Sequence, residues 1–172
     1  MGIYQPVVDI SPLTFDIALI CLSGHVVNES TKRFPGYNTK YCKECGEKTI
    51  NSCPNCKHTI RGARAGMVGF VSAPAYCEEC GHPFPWTETK IQTALHLFAE
   101  EMADKDAIRQ FEESVRTISK GNPEAPLAAN RLGKLVARVT TTITADAIKK
   151  TVVEVASETI KKTLLSVFQG GT

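Results

Sequence analysis

The sequence has few aromatic residues, no long apolar run and little net charge. Aromatic residues make up 7% of the 172 residues, tryptophan occurs once, at Trp86, and the formal net charge is +2. No stretch approaches the roughly 20 apolar residues of a membrane-spanning helix; the nearest is the short run from Ile17 to Leu22. The lack of such a run argues against a membrane-spanning helix, and the length and composition predict a soluble protein of one ordinary domain or two small ones.

An apolar signal segment behind a basic start is also lacking, and the cysteine count is odd, at seven. Both features are typical of proteins from a reducing compartment, where disulfides are rare. A thioredoxin-like redox motif needs a single CxxC beside a βαβ pattern, whereas three CxxC pairs occur here among turns. We therefore expect a cytoplasmic protein whose cysteines bind metal.

The seven cysteines and one histidine form four closely spaced pairs, which are Cys21 with His25, Cys42 with Cys45, Cys53 with Cys56, and Cys77 with Cys80. A structural zinc ion takes four sulfur or nitrogen ligands, often as such pairs, because a tight turn can aim both donors at one ion. Four pairs complete two tetrahedral sites and leave no thiol over. We predict two Zn²⁺ ions. An all-cysteine site can also hold iron, whereas the site with a histidine favours zinc.

The order of the pairs along the chain permits two topologies. Sequential pairing puts the first four ligands on one ion and the last four on the other, as in two zinc ribbons in series. Interleaved pairing gives a cross-brace, as in a RING domain. Seven residues separate Cys45 from Cys53, more than the two or three usual between the central pairs of a RING. The spacing favours two ribbons, and Gly46 and Gly81, directly after second ligands, suit their turns.

The predicted metal sites are closed, which bears on catalysis. A catalytic zinc keeps three protein ligands and an open position beside a general base. Here eight ligands saturate two ions, so we predict structural sites and no enzymatic activity.

The composition changes at about Trp86, after which cysteine is absent and apolar residues recur at helical spacing. Before it, three runs have strand character, Ile17–Leu22, Gly24–Val27 and Met67–Val71. We predict an α+β protein with a double zinc-ribbon head over residues 1–86, a helical segment over 87–125 and a long amphipathic C-terminal helix over 126–172. Asp104 is a candidate break, and Gly121 with Pro123 ends the middle segment.

The predicted C-terminal helix carries an apolar stripe that includes Val152, Ile160 and Phe168, and no proline or glycine occurs between Lys134 and Gln169. A helix about 60 Å long cannot bury such a stripe against a small head. Its partner is either the preceding helical segment or a second chain. We expect a non-enzymatic interaction or adaptor protein with a protein partner or homo-oligomer on this helix.

Two other classes of partner remain open. Residues 126–172 carry seven basic and three acidic side chains, so Lys149, Lys150, Lys161 and Lys162, with Arg61 and Arg64 of the head, could contact nucleic acid. Thiolate ligation weakens this reading, because it takes the formal charge of the head from +1 to −2. The amphipathic tail could alternatively lie on an anionic membrane surface.

Several phrases together resemble a bacterial family of small zinc-ribbon proteins catalogued as a domain of unknown function. They are CLSGH from Cys21, YCKECG from Tyr41, CPNC from Cys53, IRG from Ile60, PAYCEECG from Pro74, PWT from Pro85 and ASET from Ala156. The resemblance extends from about Ile17 into the C-terminal helix. It implies two metal-binding ribbons followed by helices, and it implies no activity, substrate or catalytic residue.

Overall fold

The computed structural model describes residues 14–64 and 72–169. Contacts divide the chain into two compact units, residues 1–84 and 85–172. The boundary coincides with the start of the first helix at Pro85. The predicted α+β architecture is confirmed, since small antiparallel sheets in the first unit are followed by helices in the second.

The described part of the first unit, the head, contains five short strands, β1 (Phe15–Ile17), β2 (Leu19–Cys21), β3 (Val26–Asn28), β4 (Thr49–Ile50) and β5 (Arg61–Arg64). β1 pairs with β5, and β2 lies between β3 and β4, all antiparallel. The predicted run Ile17–Leu22 is divided at Ala18, since Ile17 ends β1 and β2 begins at Leu19 in a different sheet, whereas the predicted run Gly24–Val27 overlaps β3. The strand predicted at Met67–Val71 lies outside the described residues.

Three tight turns of the head share one backbone geometry, and each carries a CxxC pair. An isolated antiparallel bridge closes each turn, Tyr41 with Lys48, Ser52 with Thr59 and Tyr76 with Pro83. The residue after the second cysteine has a positive φ in every case, 75° at Gly46, 65° at Lys57 and 67° at Gly81. Glycine adopts this conformation freely, whereas a lysine is strained in it. We call these three turns the knuckles.

The second unit consists of five helices, α1 (Pro85–Glu101), α2 (Lys105–Lys120), α3 (Ala125–Val136), α4 (Thr142–Val155) and α5 (Glu158–Gln169). The break predicted at Asp104 is confirmed, because its carboxylate caps α2 by accepting from the amides of Asp106 and Ala107 at 3.0 and 3.2 Å. Gly121 then ends α2 in the left-handed conformation.

All five helices contribute to one continuous apolar core of 21 buried residues. Phe98 of α1 stacks on Phe111 of α2 with ring centroids 4.2 Å apart. α3 and α5 approach closely, because a Cβ atom at Gly133 would collide with Val167. Residues on both sides of the predicted boundary at 125/126 therefore belong to the same core.

The structure corrects the prediction of one long C-terminal helix, since residues 125–169 form α3, α4 and α5. The first break covers residues 137–141 and leads into a run of β-branched residues, 139–144, which lowers helix propensity. At the second, Ala156 is extended, and the amide of Ser157 donates to the carbonyl of Ile118 at the end of α2. Three short helices can fold their apolar stripes onto one core, which a straight helix cannot do.

Among residues 14–64 and 72–169, no helix combines the length and the apolar character that crossing a bilayer requires.

Candidate metal centres

The first cluster joins the central sheet of the head to the first knuckle. Cys21 ends β2, and His25 follows after a turn in which Gly24 has a φ of 91°. The knuckle supplies Cys42 and Cys45. The Sγ atoms of Cys21 and Cys45 lie 3.7 Å apart, and Nδ1 of His25 lies 3.7 Å from Sγ of Cys42. The histidine therefore presents Nδ1 to the three sulfurs.

The second cluster joins the other two knuckles and consists of cysteines alone. Sγ of Cys53 lies 3.8 Å from Sγ of Cys80, and Sγ of Cys56 lies 3.6 Å from Sγ of Cys77. The side-chain amide of Asn55 donates to Sγ of Cys80 at 3.6 Å. A donor of this kind stabilises a thiolate and fixes its orientation.

Both clusters fit a tetrahedral ion. Zinc–sulfur bonds of about 2.3 Å place neighbouring sulfurs about 3.8 Å apart, and a nitrogen at about 2.0 Å lies about 3.6 Å from a sulfur. The four distances given above, two in each cluster, are 3.6 to 3.8 Å. Within each cluster all four ligand atoms lie within 4.8 Å of one another. The spacing exceeds the about 2.0 Å of a disulfide, and all seven cysteines are free.

The structure brings together every residue that we predicted as a metal ligand, in two groups of four. The grouping is sequential, so the head has two ribbons in series and not a cross-brace. Each cluster can hold one metal ion. In each knuckle the first cysteine is buried and the second is more exposed.

The thiols of the second cluster differ in their affinity for protons. Hydrogen bonds from the backbone amide of His82 and the side chain of Asn55 lower the pKa of Cys80 to about 6. A hydrogen bond from the amide of His58 lowers the pKa of Cys56, but burial and the three other thiols outweigh it and raise the pKa to about 12. A divalent cation must displace the remaining protons, so metal affinity falls as pH falls.

Two histidines near the second cluster are not among its ligands. His58 Nε2 lies 3.4 Å from a carboxylate oxygen of Glu78, whose other oxygen pairs with Arg61 at 2.7 Å. His82 Nδ1 lies 3.3 Å from the side-chain nitrogen of Asn55. The role of Asn55 was not predicted from the sequence. Its position between Cys53 and Cys56 could have indicated this role, because a side-chain amide inside one knuckle can reach a cysteine of the knuckle that shares the same ion.

The comparisons with known proteins identify a family for this chain. No curated protein and no solved structure matches the chain. One family model matches residues 14–164, a range that contains both clusters and nearly all of the helical unit. The resemblance found in the ligand phrases is thereby confirmed, and the chain belongs to the bacterial family described as "uncharacterized protein conserved in bacteria" (DUF2321).

Proposed function

We propose that this protein is a zinc-binding, non-enzymatic interaction or adaptor protein, in which two ions hold the loops of the head in shape for a partner. The observation that carries the proposal is the closure of both clusters by four protein ligands each. A tetrahedral ion with four protein ligands has no position for a water or a substrate. The ions then act as folding elements, and the surface loops between ligands are available for binding.

Zinc is the ion that the donor set supports best. Three sulfurs and one imidazole nitrogen form a common structural zinc set, whereas iron in small proteins is typically held by four cysteines. His25 therefore argues for zinc in the first cluster. The second cluster is compatible with either metal, and the same cell supplies both sites, so we propose zinc in both.

The helical unit has a packing role in this proposal. The apolar stripe that we expected to need a partner is buried within the unit, with Val152 fully covered and Ile160 4% exposed. Self-association through the same helices would have to use the apolar side chains that remain exposed, at Leu127, Ile143 and Leu165.

Nucleic acid and a membrane surface receive less support as partners of the arginine and lysine residues and the C-terminal helices named above. Arg61 pairs with Glu78, and Lys149 and Lys161 each pair with an acidic residue three positions away on their own helix. These ion pairs reduce the positive charge that a nucleic acid would meet. Membrane binding through the tail would require exposing the apolar face that the core of the helical unit now buries.

X-ray absorption at the zinc edge on the purified full-length protein tests the proposal. Seven sulfurs and one nitrogen shared between two ions predict a sulfur shell with one light-atom ligand for every seven sulfurs. His25→Cys is the matched variant, because it should replace the nitrogen by sulfur, keep both ions and leave no light-atom ligand. Oxygen and nitrogen give the same signal, so a light-atom shell that persists in His25→Cys would indicate a water-bearing ion and would count against a purely structural role.

A further inference from the structure

The segment between β3 and the first knuckle has an unusual composition for a surface loop. Residues 31–41, which we call the aromatic loop, contain the basic residues Lys32, Arg33 and Lys40 and no acidic residue. They also contain three of the eleven phenylalanine and tyrosine residues of the chain. Three cationic side chains and three aromatic rings thus occur within eleven positions.

The rings of the aromatic loop face solvent. Phe34 is 44% exposed, Tyr37 69% and Tyr41 55%. In contrast, Phe98 and Phe111 of the helical unit are fully buried. Exposed aromatic rings contribute little to folding stability, because only apolar surface that is removed from water stabilises the folded state. Several such rings in one loop are typical of a binding surface.

The aromatic loop is held by polar groups and not by burial of its rings. The side-chain nitrogen of Asn28, a buried residue, donates to the carbonyl of Phe34 at 2.8 Å and to the side-chain oxygen of Asn38 at 2.7 Å. Asn38 in turn donates to the carbonyl of Thr31 at 3.1 Å. The carboxylate of Asp16 accepts from two further loop amides. Hydrogen bonds thus fix the backbone that carries the rings, and the rings themselves remain outside the hydrophobic core.

Cationic groups lie directly beside these rings. The guanidinium of Arg33 lies 5.2 Å from the centre of the Phe34 ring, and Phe34 meets Tyr37 edge to face with centroids 6.3 Å apart. The ammonium of Lys40 lies 5.6 Å from the centre of the Tyr41 ring. A cleft of about 420 Å³ adjoins the loop, and its charged lining consists of Lys32, Arg33 and Arg64 together with Asp16.

We propose that the aromatic loop binds single-stranded nucleic acid. Unpaired bases would stack on Phe34 and Tyr37, and backbone phosphates would contact Lys32, Arg33 and Lys40. Proteins that bind single strands without sequence preference combine these two elements, since every base has a face to stack and every nucleotide has a charge. A duplex keeps its bases stacked internally and cannot use the rings, so it binds less well.

The inference rests on the proposed function, because the aromatic loop leads directly into Cys42, a predicted ligand of the first ion, and the bound ion would hold that end of the loop. The test is fluorescence anisotropy of a labelled oligothymidine of about 15 nucleotides with the full-length, zinc-loaded protein at about 50 mM salt. We expect the affinity for oligothymidine to fall as the salt concentration rises. A duplex of the same length should bind with lower affinity.

Matched variants separate the contributions. Tyr37→Ala and Phe34→Ala should each weaken binding about tenfold, whereas Tyr37→Phe should retain it, because stacking needs the ring and not the hydroxyl. Arg33→Gln should weaken binding and reduce the salt dependence by about one phosphate contact. Lys105→Gln, at an exposed position of α2 in the second unit, is the charge control and should bind like the wild type.

Several results would overturn the inference. These are no binding by a protein that holds two ions, equal binding of duplex, unchanged affinity in both ring variants, or competition by polyglutamate as effective as that by unlabelled oligothymidine. The last result would indicate an acidic protein partner instead. Zinc content is measured on every sample, so a chain that lacks zinc contradicts the proposed function, and a chain that holds zinc without binding the strand contradicts only this inference.

Discussion

The head and the helical unit are similar in length but are stabilised in different ways. The helical unit buries 21 residues in one apolar cluster. In the described part of the head, ten apolar residues are buried, and four of these are the cysteines Cys21, Cys42, Cys53 and Cys77. A domain with so small a core folds only with covalent or metal cross-links. The comparison indicates that the head has little apolar core and instead brings eight potential metal ligands together, so we propose that bound ions stabilise this half of the molecule.

Removing the metal with a chelator should therefore destabilise the head and leave the helical unit folded. We expect this to be the largest effect. A structural zinc ion contributes about 10–16 kcal/mol to folding in small zinc-binding peptides, whereas the helical core needs no ion. Hydrogen exchange read by mass spectrometry, with and without a strong zinc chelator, checks this. Amides such as those of Cys53 and Cys77, which bond across their knuckles, should lose protection. Protection in α2 and α4 should persist, and its loss would contradict the comparison.

The converse prediction breaks the helical unit and spares the head. Val152→Glu places a charge at a fully buried position of α4, which should cost about 3–5 kcal/mol because nothing there can pair with it. Circular dichroism should report loss of helix, while metal content stays unchanged. Ile143→Glu is the matched control on the same helix, since Ile143 is 83% exposed and should tolerate the charge. Native helicity in Val152→Glu would show that this face is not core.

The two halves also differed in how far the sequence predicted them. The ligands could be identified because metal coordination requires particular residue types at short spacing, as in Cys53 and Cys56, whatever the rest of the fold does. The end of α2 could be predicted because Gly121 acts locally. The aromatic loop was not recognised, because exposure of Phe34 and Tyr37 depends on which residues the sheets bury.

The breaks around α4 could not be located, because tertiary contacts decide them. Residues 135–168 contain no glycine or proline, and their periodicity is helical throughout. The second break is stabilised by a bond from the amide of Ser157 to the carbonyl of Ile118, residues 39 positions apart. Gly121 is also in close contact with Ser157 and Thr159. Such contacts exist only once the helices have packed.

A smaller effect is expected from the ion pair between α1 and α2. Arg116 makes two hydrogen bonds to the carboxylate of Glu88, at 2.9 and 3.0 Å, and both side chains are about one-third exposed. Arg116→Ala should cost about 1 kcal/mol after solvent screening, measured by urea unfolding. Arg109→Ala removes an exposed pair with Asp106 and should change stability by less than about 0.5 kcal/mol.

The same pair predicts a pH dependence of known sign. Hydrogen bonds from Arg116, supported by Gln92, hold the pKa of Glu88 below its ordinary value of 4.5. The stabilisation is therefore present above the ordinary value and is lost as pH falls through the lowered one. Wild type and Arg116→Ala should converge in stability in this acid range; a constant difference would assign the effect to packing.

The smallest effect concerns the knuckle that lacks glycine. Lys57 has a φ of 65°, where the other two knuckles have Gly46 and Gly81. Lys57→Gly should relieve left-handed strain and raise the stability of the second cluster by up to about 1 kcal/mol, partly offset by the entropy of glycine in the unfolded chain. Competition with a metal-binding indicator dye, which reports the metal affinity of the wild type and of each variant, checks this prediction. Gly46→Ala should have the opposite sign, and equal signs would contradict the shared geometry.

Native mass spectrometry of the full-length protein tests most directly the claim that eight side chains close two ions. We predict two zinc ions per wild-type chain, one in His25→Ala and one in Cys53→Ser, because each substitution removes a ligand from a different cluster. The ion retained in each variant shows that the clusters are independent. A wild-type chain with a single ion, or a variant at either position that keeps both, would contradict the account.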